Sequence, residues 1–346
     1  MACDRGSGGR LAMWFVAGAI ASGGIVGADQ NDGGSSRSYR YLMGTSVEVE
    51  AFGGGAAARG AAIEEAFGAI AEVDRLMSNY REDSELAAIN RRADREAVLV
   101  SDPMLRVLEA AEHVSAKSDG AFDVTIGPLV RLWGFHDKTP HVPSATELAA
   151  IRPLVGYRNL LIDRDRRTVR FTRTGVEIDL GGIAKGFAVE VAANVLRRRG
   201  LSGFIDAGGN QYMLGLPPGK RLWTVGVKNP DRRDELLGII DSAEGSVSTS
   251  AGYANFLTAN GRRYGHILDP RTLQPADTVL SVTVLSRDGT LADVVSTAAF
   301  VLGRSGALAF IDSFSGMSGL VAYRRSDGGI AMAMSKGLTS AFHPIN

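Results

Sequence analysis

From Phe204 to Leu285 the chain offers five strand-like stretches in succession, at Phe204–Asp206, Trp223–Lys228, Ser246–Thr249, Tyr264–Leu268 and Val279–Leu285, with no helical stretch between them. Strands that follow one another without crossover helices pair antiparallel, so a doubly wound parallel sheet is excluded and an α+β fold is predicted. Helices lie on either side of this run. Ile63, Phe67, Ile70, Val73 and Met77 fall on one helical face, and Leu105, Leu108, Ala111 and Val114 on another after Pro103. Val47, Val49 and Ala51 alternate with Glu48 and Glu50, the pattern of a half-buried strand. Leu160–Asp163 and Thr168–Thr172 flank a charged turn and read as a hairpin. A strand ending at Asp179 and Leu180 is predicted to run through Gly181-Gly182 into a helix from about Ile183 to Arg199. Helices at Leu291–Leu302 and Ala307–Ser313 and strands at Leu320–Tyr323 and Ile330–Met334 complete the pattern.

The N-terminus has a different character. Arg5 and Arg10 precede an uncharged stretch from Leu11 to Ala28, which reads as a secretory signal peptide cut after Ala28 or as an uncleaved anchor. Either reading puts the remainder outside the cytoplasm, in the periplasm or on the outer face of the inner membrane, the anchor with membrane association. Asp29–Tyr39 begins DQNDGGSSRS, a glycine- and serine-rich composition that predicts a flexible linker, so one domain is expected over residues 40–346. The only cysteine, Cys3, precedes the apolar stretch, so disulfides and thiolate chemistry are absent from the domain. Lysine plus arginine equal aspartate plus glutamate at 38 each, leaving no overall field to gather nucleic acid.

Three segments concentrate polar groups where chemistry would want them. In Asp179-Leu180-Gly181-Gly182-Ile183-Ala184-Lys185-Gly186, a carboxylate precedes glycines and a helix start, whose free amides favour an anion, and Lys185 adds a point charge. The ordinary alternative is a plain strand-to-helix turn. The segment is neither a Walker A loop nor a GxGxxG fingerprint. In Ala292-Asp293-Val294-Val295-Ser296-Thr297, Asp293 and Thr297 are four apart on one helical face and offer two oxygens to a hard cation such as Mg²⁺. Alternatively, Asp293 caps a helix and Thr297 bonds back to a carbonyl. In Tyr264-Gly265-His266-Ile267-Leu268-Asp269-Pro270-Arg271-Thr272, a histidine and a carboxylate meet at a proline turn. A packed structural histidine and a common turn starter are the alternatives there.

Taken together with Met43-Gly44-Thr45, Met77-Ser78-Asn79-Tyr80, Gly120-Ala121-Phe122-Asp123, Trp133-Gly134-Phe135, Ala207-Gly208-Gly209-Asn210 and Thr249-Ser250, these segments resemble the ApbE family of flavin transferases in order and spacing, from about Tyr41 to Gly303. The resemblance implies a single α+β domain of mainly antiparallel sheet with packed helices. It implies an enzyme that uses Mg²⁺ to take FAD apart and joins FMN by a phosphoester to a Thr or Ser hydroxyl of an acceptor protein, releasing AMP. On matching positions it implies flavin contacts at Met43, Tyr80, Ala121, Phe122, Asp123, Asp179, Lys185 and the backbone near Ile267. It implies a metal held by Asp293, Thr297 and the Gly182 carbonyl. His266 is the first candidate for the base that activates the acceptor alcohol and Asp269 the second, with phosphate orientation an equal role for His266. Tyr80 suits a ring platform or a place in the core. Water in place of the acceptor would make an FAD pyrophosphatase, and loss of turnover would leave an exported flavin-binding protein. Two departures stand out: Leu273 where the family usually has glycine, which predicts a differently built turn, and Gly53–Gly60 (GGGAAARG), which reads as a flexible piece before the first long helix.

Overall fold

The computed structural model describes residues 29–31 and 34–345, apart from 137–138, 140, 233, 254–255 and 260; the expected signal or anchor in residues 1–28 lies outside them. Nine strands make one sheet: β1 (Asp29–Asn31), β2 (Ser35–Leu42), β3 (Thr45–Phe52), β4 (Ser202–Ala207), β5 (Asn210–Leu214), β6 (Gly245–Ala251), β7 (Ser281–Ser286), β8 (Ser318–Arg324) and β9 (Ile330–Met334). Their order in space is their order in the chain, and every neighbouring pair is antiparallel. Among the described residues seven α-helices accompany the sheet, α1 (Ala56–Met77), α2 (Glu85–Arg92), α3 (Asp102–Lys117), α4 (Gly127–Leu132), α5 (Ala145–Ile151), α6 (Ala184–Arg198) and α7 (Gly289–Asp312), and the expected α+β class holds.

The stretch expected to be a linker is strand instead: Ser35–Leu42 pairs in full with β3, and Asp29–Asn31 pairs with Ser35–Arg37. Ser36 is buried and accepts a hydrogen bond from Arg59 Nε at 3.0 Å, a tertiary contact that composition cannot disclose. The same arginine orders the glycine-rich piece, because its Nη1 donates to the Gly54 carbonyl at 2.9 Å and α1 (Ala56–Met77) begins just after Gly55.

The inner face of the sheet carries Val47, Val49, Ile205, Val282, Val284 and Val321 into a core shared with α1, α6 (Ala184–Arg198) and α7 (Gly289–Asp312). Each such side chain contributes roughly 1.5–3 kcal/mol on burial. The outer face is covered too. A three-stranded sheet from Trp223–Lys228, Leu236–Ser242 and Phe342–Pro344 closes a second apolar cluster around Val225, Ile240, Val247 and Leu320. Hence β3 is buried on both faces, not one, and Glu48 and Glu50 are paired there with Arg37 at 3.2 and 2.7 Å.

The two helices expected at Leu291–Leu302 and Ala307–Ser313 are the two arms of Gly289–Asp312, which meet at a non-helical Gly303 with φ 69° and ψ −171°. Two local readings change. Strand Tyr264–Leu268 divides into Arg262–Gly265 and Leu268–Asp269, with His266 and Ile267 at the break. The segment before Gly181 is extended but unpaired with any strand. Its backbone is held by the Asn90 side chain, which donates to Ile178 O (3.0 Å) and accepts from Ile178 N (2.8 Å), and by the Asp179 amide donating to Val124 O at 2.7 Å. The hairpin Leu160–Asp163 with Thr168–Phe171 is as expected, with Val98–Leu99 as a third strand.

Candidate active site

Sheet register gathers the polar segments at one end. Met43-Gly44 and Gly208-Gly209 are both two-residue turns with positive φ throughout (52° and 73°, 62° and 94°), the backbone that closes tight hairpins. Val47 faces Ala207 across β3 and β4, so the two turns sit side by side. The end of β6 joins them through the Thr249 amide, which donates to Gly209 O at 3.3 Å. A methionine at positive φ is uncommon, and such strain concentrates at functional positions.

The two halves of the metal candidate come from α6 and α7, which cross at a glycine contact. A Cβ on Gly186 would stand 2.2 Å from Gly289 O and 2.5 Å from Asp293 Cβ, so only glycine permits this approach. It lets the Gly186 amide donate to Asp293 Oδ2 at 2.8 Å. Asp293 is not the cap of its helix: α7 begins at Gly289, and Asp288 caps it by accepting from the Leu291 amide at 2.8 Å. Burial pushes the Asp293 carboxyl above the ordinary carboxylate range, against the pull of the Lys185 charge. One turn on, Thr297 Oγ1 lies 3.5 Å from Gly182 O and bonds back to Asp293 O at 3.2 Å. The back-bond expected as an alternative therefore coexists with a hydroxyl facing the Gly182 carbonyl.

Oxygens bound at about 2.0–2.1 Å to an octahedral Mg²⁺ lie about 3 Å apart, so a closure of about half an ångström would let Thr297 and Gly182 share one ion. Among the described residues no group of three or more His, Cys, Asp or Glu side chains is placed to hold a metal. A single buried carboxylate beside neutral oxygens suits a hard cation that takes its other ligands from phosphate and water. The donor set fits Mg²⁺.

Asp179 stands next to this group. It accepts from Asn79 Nδ2 at 2.6 Å and from the Gly181 amide at 2.7 Å, and burial raises its pKa. Lys185 Nζ donates to Gly181 O at 3.2 Å, which keeps its charge at the open start of α6. Tyr80 is not a core residue. Its ring is 74% exposed and stacked on His136, with centroids 5.0 Å apart and planes 20° apart.

Ala121, Phe122 and Asp123 lead into a cleft of about 220 Å³ lined by Gly120, Asp123, Gly156, Tyr157, Arg158 and Arg271, among others. Phe122 touches the metal candidate, since a Cβ on Gly182 would meet its ring at 3.1 Å. Asp123 Oδ1 accepts from the Thr125 amide and hydroxyl at 2.7 and 2.8 Å, whereas Oδ2 is buried with no hydrogen-bond partner. Burial pushes this carboxyl up to about 6. The native state thus holds its proton more tightly than the unfolded chain, and the stability this confers is complete below about pH 4 and lost as pH rises through about 6. Asp123→Asn is therefore expected to unfold at higher urea than the native protein at pH 8, by about 1–3 kcal/mol, with a smaller gap at pH 4.5. Equal gaps at both pH values would refute the assignment.

The third segment is carried on a separate small cluster. Trp133 Nε1 donates to Leu273 O at 3.1 Å and its ring lies 5.3 Å from that of Tyr264. Gly265, just before His266, packs on Gly252, which lies against Phe300, one turn beyond Thr297 on α7. His266 therefore sits on a loop that flanks the metal candidate. The Ile267 carbonyl accepts from the Ala276 amide at 2.9 Å. Asp269 is held by Arg271, whose Nε and Nη2 donate to its two oxygens at 2.9 and 3.0 Å. With both oxygens occupied it builds the turn, and the geometry disfavours it as a base. Leu273 is the larger surprise. It adopts φ 62°, a backbone that favours glycine, and is 1% exposed, so burial of its side chain offsets the strain.

Sequence reasoning assigned no role to Asn79, Asn90, His136, Asn210, Ser248 or Ser296. One signal was present: Ser246, Ser248 and Ser250 alternate on β6 and face the helices, where neighbouring strands place valines. Hydroxyls aimed at a core are retained only where they meet partners.

Comparison with known proteins agrees with the geometry. The FAD:protein FMN transferase of Vibrio cholerae is 35% identical over 248 residues, 70% of this chain and 73% of that protein. That of Treponema pallidum is 33% identical over 310 residues, 83% and 86%. The crystal structure of the ApbE protein of Thermotoga maritima superposes with a TM-score of 0.80 at 32% identity, covering 88% of this chain and 98% of that one. The flavin transferase ApbE of Vibrio cholerae gives 0.80 at 30%, covering 91% and 100%. The pattern of the ApbE family matches residues 43–321, and with the fold and the site in agreement the chain belongs to that family.

Proposed function

We propose that this chain is an FAD:protein FMN transferase that cleaves the FAD pyrophosphate with the help of Mg²⁺, attaches FMN to a Thr or Ser hydroxyl of an acceptor protein and releases AMP. The observation that carries the reading is the meeting of Asp293, Thr297 and the Gly182 carbonyl with Lys185 at the open N-terminus of α6. That arrangement matches what pyrophosphate needs: oxygens for a divalent ion, a lysine charge and free helix amides. The names of the relatives support the same reaction.

The bound ion would neutralise charge on the phosphates and on the departing AMP. The chain's own groups do the remainder. Tyr80, backed by His136, offers an exposed ring face for the isoalloxazine or the adenine. The Asp123 cleft is too small for all of FAD and takes one end of it. The acceptor oxygen forms a bond to the FMN phosphorus while the bond from that phosphorus to the AMP oxygen breaks. The electron pair leaves with AMP, and the hydroxyl proton passes to a base, for which His266 is the candidate. Residues 1–28, by their uncharged run after Arg5 and Arg10, would direct the enzyme out of the cytoplasm.

Incubating residues 29–346 with FAD, Mg²⁺ and an acceptor domain tests this. Covalent flavin that survives denaturation of the acceptor, with one AMP released per flavin, is the expected result. AMP without acceptor labelling would replace transfer by hydrolysis, and absence of both products would leave a binding protein.

A further inference from the structure

The serines of β6 have a use that the fold alone does not give them. Ser248 Oγ donates to Asn210 Oδ1 at 2.6 Å, and Ser248 and Ser296 lie 3.2 Å apart. Ser250 Oγ is 2.8 Å from Ser296 and 3.2 Å from Thr297 Oγ1. Ser248 is 1% exposed and Ser296 fully buried, so the bonds at that end of the network are not shared with solvent.

The direction of donation follows from counting protons, one per hydroxyl. Ser248 has two acceptors, Asn210 Oδ1 at 2.6 Å and Asp293 Oδ1 at 3.5 Å, and the shorter contact takes its proton. The Ser296 proton is shared between Asp293 O at 2.9 Å, an ordinary bond for a helical serine, and Ser248 Oγ at 3.2 Å, which continues the network to Asn210. Ser250 must then donate to Ser296, so it meets Thr297 with a lone pair. The Thr297 proton has Ser250 Oγ and Asp293 O as its nearer acceptors, at 3.2 Å each, and Gly182 O at 3.5 Å is the longest of the three contacts.

We propose that Ser250, Ser296, Ser248 and Asn210 are positioning residues that orient Thr297 and Asp293 before the cation arrives. This rests on the metal reading above. A hydroxyl that must turn its proton away to bind a cation is preset here by a network whose last acceptor is an amide carbonyl. Asn210 anchors the hydroxyl network with its oxygen, and Ser248, 3.5 Å from Asp293 Oδ1, brings the network to the carboxylate. Partners of this kind fix ligand orientation and cost about 10- to 100-fold in metal affinity when removed.

The test is Mn²⁺ binding by the full chain, read from the loss of the free Mn²⁺ resonance signal, with ADP present as an unreactive pyrophosphate. Ser250→Ala is expected to weaken Mn²⁺ binding about 10- to 100-fold. ADP binding without metal and the unfolding midpoint should stay near native values. Ser250→Thr, which keeps the hydroxyl, should return most of the affinity, and Ser250→Val, of similar size without it, should not. Unchanged Mn²⁺ affinity in Ser250→Ala, alongside its loss in Asp293→Ala, overturns the positioning role. Unchanged affinity in Asp293→Ala overturns the metal site and this inference with it.

Discussion

Asp293→Asn is expected to lower FMN transfer by about 10²- to 10³-fold or more while leaving the folded protein at least as stable at pH 8. The two effects have one cause. The native protein keeps this carboxylate out of water with only the Lys185 charge to compensate it, along with a hydrogen bond from the Gly186 amide and a longer one from the Ser248 hydroxyl. Its pKa is raised, so the native state favours the proton. The corresponding stability is complete below about pH 4 and lost as pH rises through the raised value. A neutral amide of the same shape does not suffer that loss, so its stability relative to the native protein should grow between pH 4.5 and pH 8. Transfer assays at saturating Mg²⁺ and urea unfolding at both pH values measure the pair. Native turnover in the variant would remove Asp293 from the reaction, and lower stability at pH 8 would show that the carboxylate is structural.

Gly186→Ala should act in the opposite direction from helix propensity. Alanine in a helix interior is worth about 1 kcal/mol over glycine. Here the added methyl would lie 2.2 Å from Gly289 O, 2.5 Å from Asp293 Cβ and 3.1 Å from Gly289 C, two of them backbone atoms that cannot swing aside. Relief requires α6 and α7 to separate, and overpacking of this kind outweighs the propensity gain, for a net loss of about 2–3 kcal/mol. Separation also lengthens the bond from the Gly186 amide to Asp293 and moves the Gly182 carbonyl from Thr297, so transfer should fall with stability. Urea unfolding measures the change directly, and a gain in stability would mean that the helices do not meet as described.

Much of the fold was legible because local pattern and tertiary role coincide. The apolar run of β8, the helical stripe from Ile63 to Met77 and the succession of strands after Phe204 all report their partners through local apolar pattern. Reading failed where a distant side chain decides the local structure. Arg59 turns a linker-like Ser36 into a strand residue, and Asn90 does for Ile178 what a neighbouring strand would have done. The split of Asp179 and Lys185 from Asp293 and Thr297, at the start of α6 and along α7, was readable as two motifs. That they meet depends on Gly186 and Gly289, a pair one hundred and three residues apart that no periodicity connects. Asp269 illustrates the reverse case, where the residue type suggested chemistry and the Arg271 fork accounts for it instead.

The simple order of the sheet has a consequence for how the protein is made. Strands β4 to β9 each find their partner soon after they emerge, but β3 waits for β4 until everything from Gly53 to Leu201 has been synthesised. A β2–β3 hairpin formed in that interval would have one open edge, the condition under which strands recruit foreign partners. Glu48 and Glu50 lie on that strand, and in the finished sheet they are buried beside Arg37 at positions where apolar residues would pack more cheaply. Their charges make the waiting edge a poor template for aggregation. Residues that look costly in the mature fold thus guard the nascent chain while the site-bearing half is still being produced.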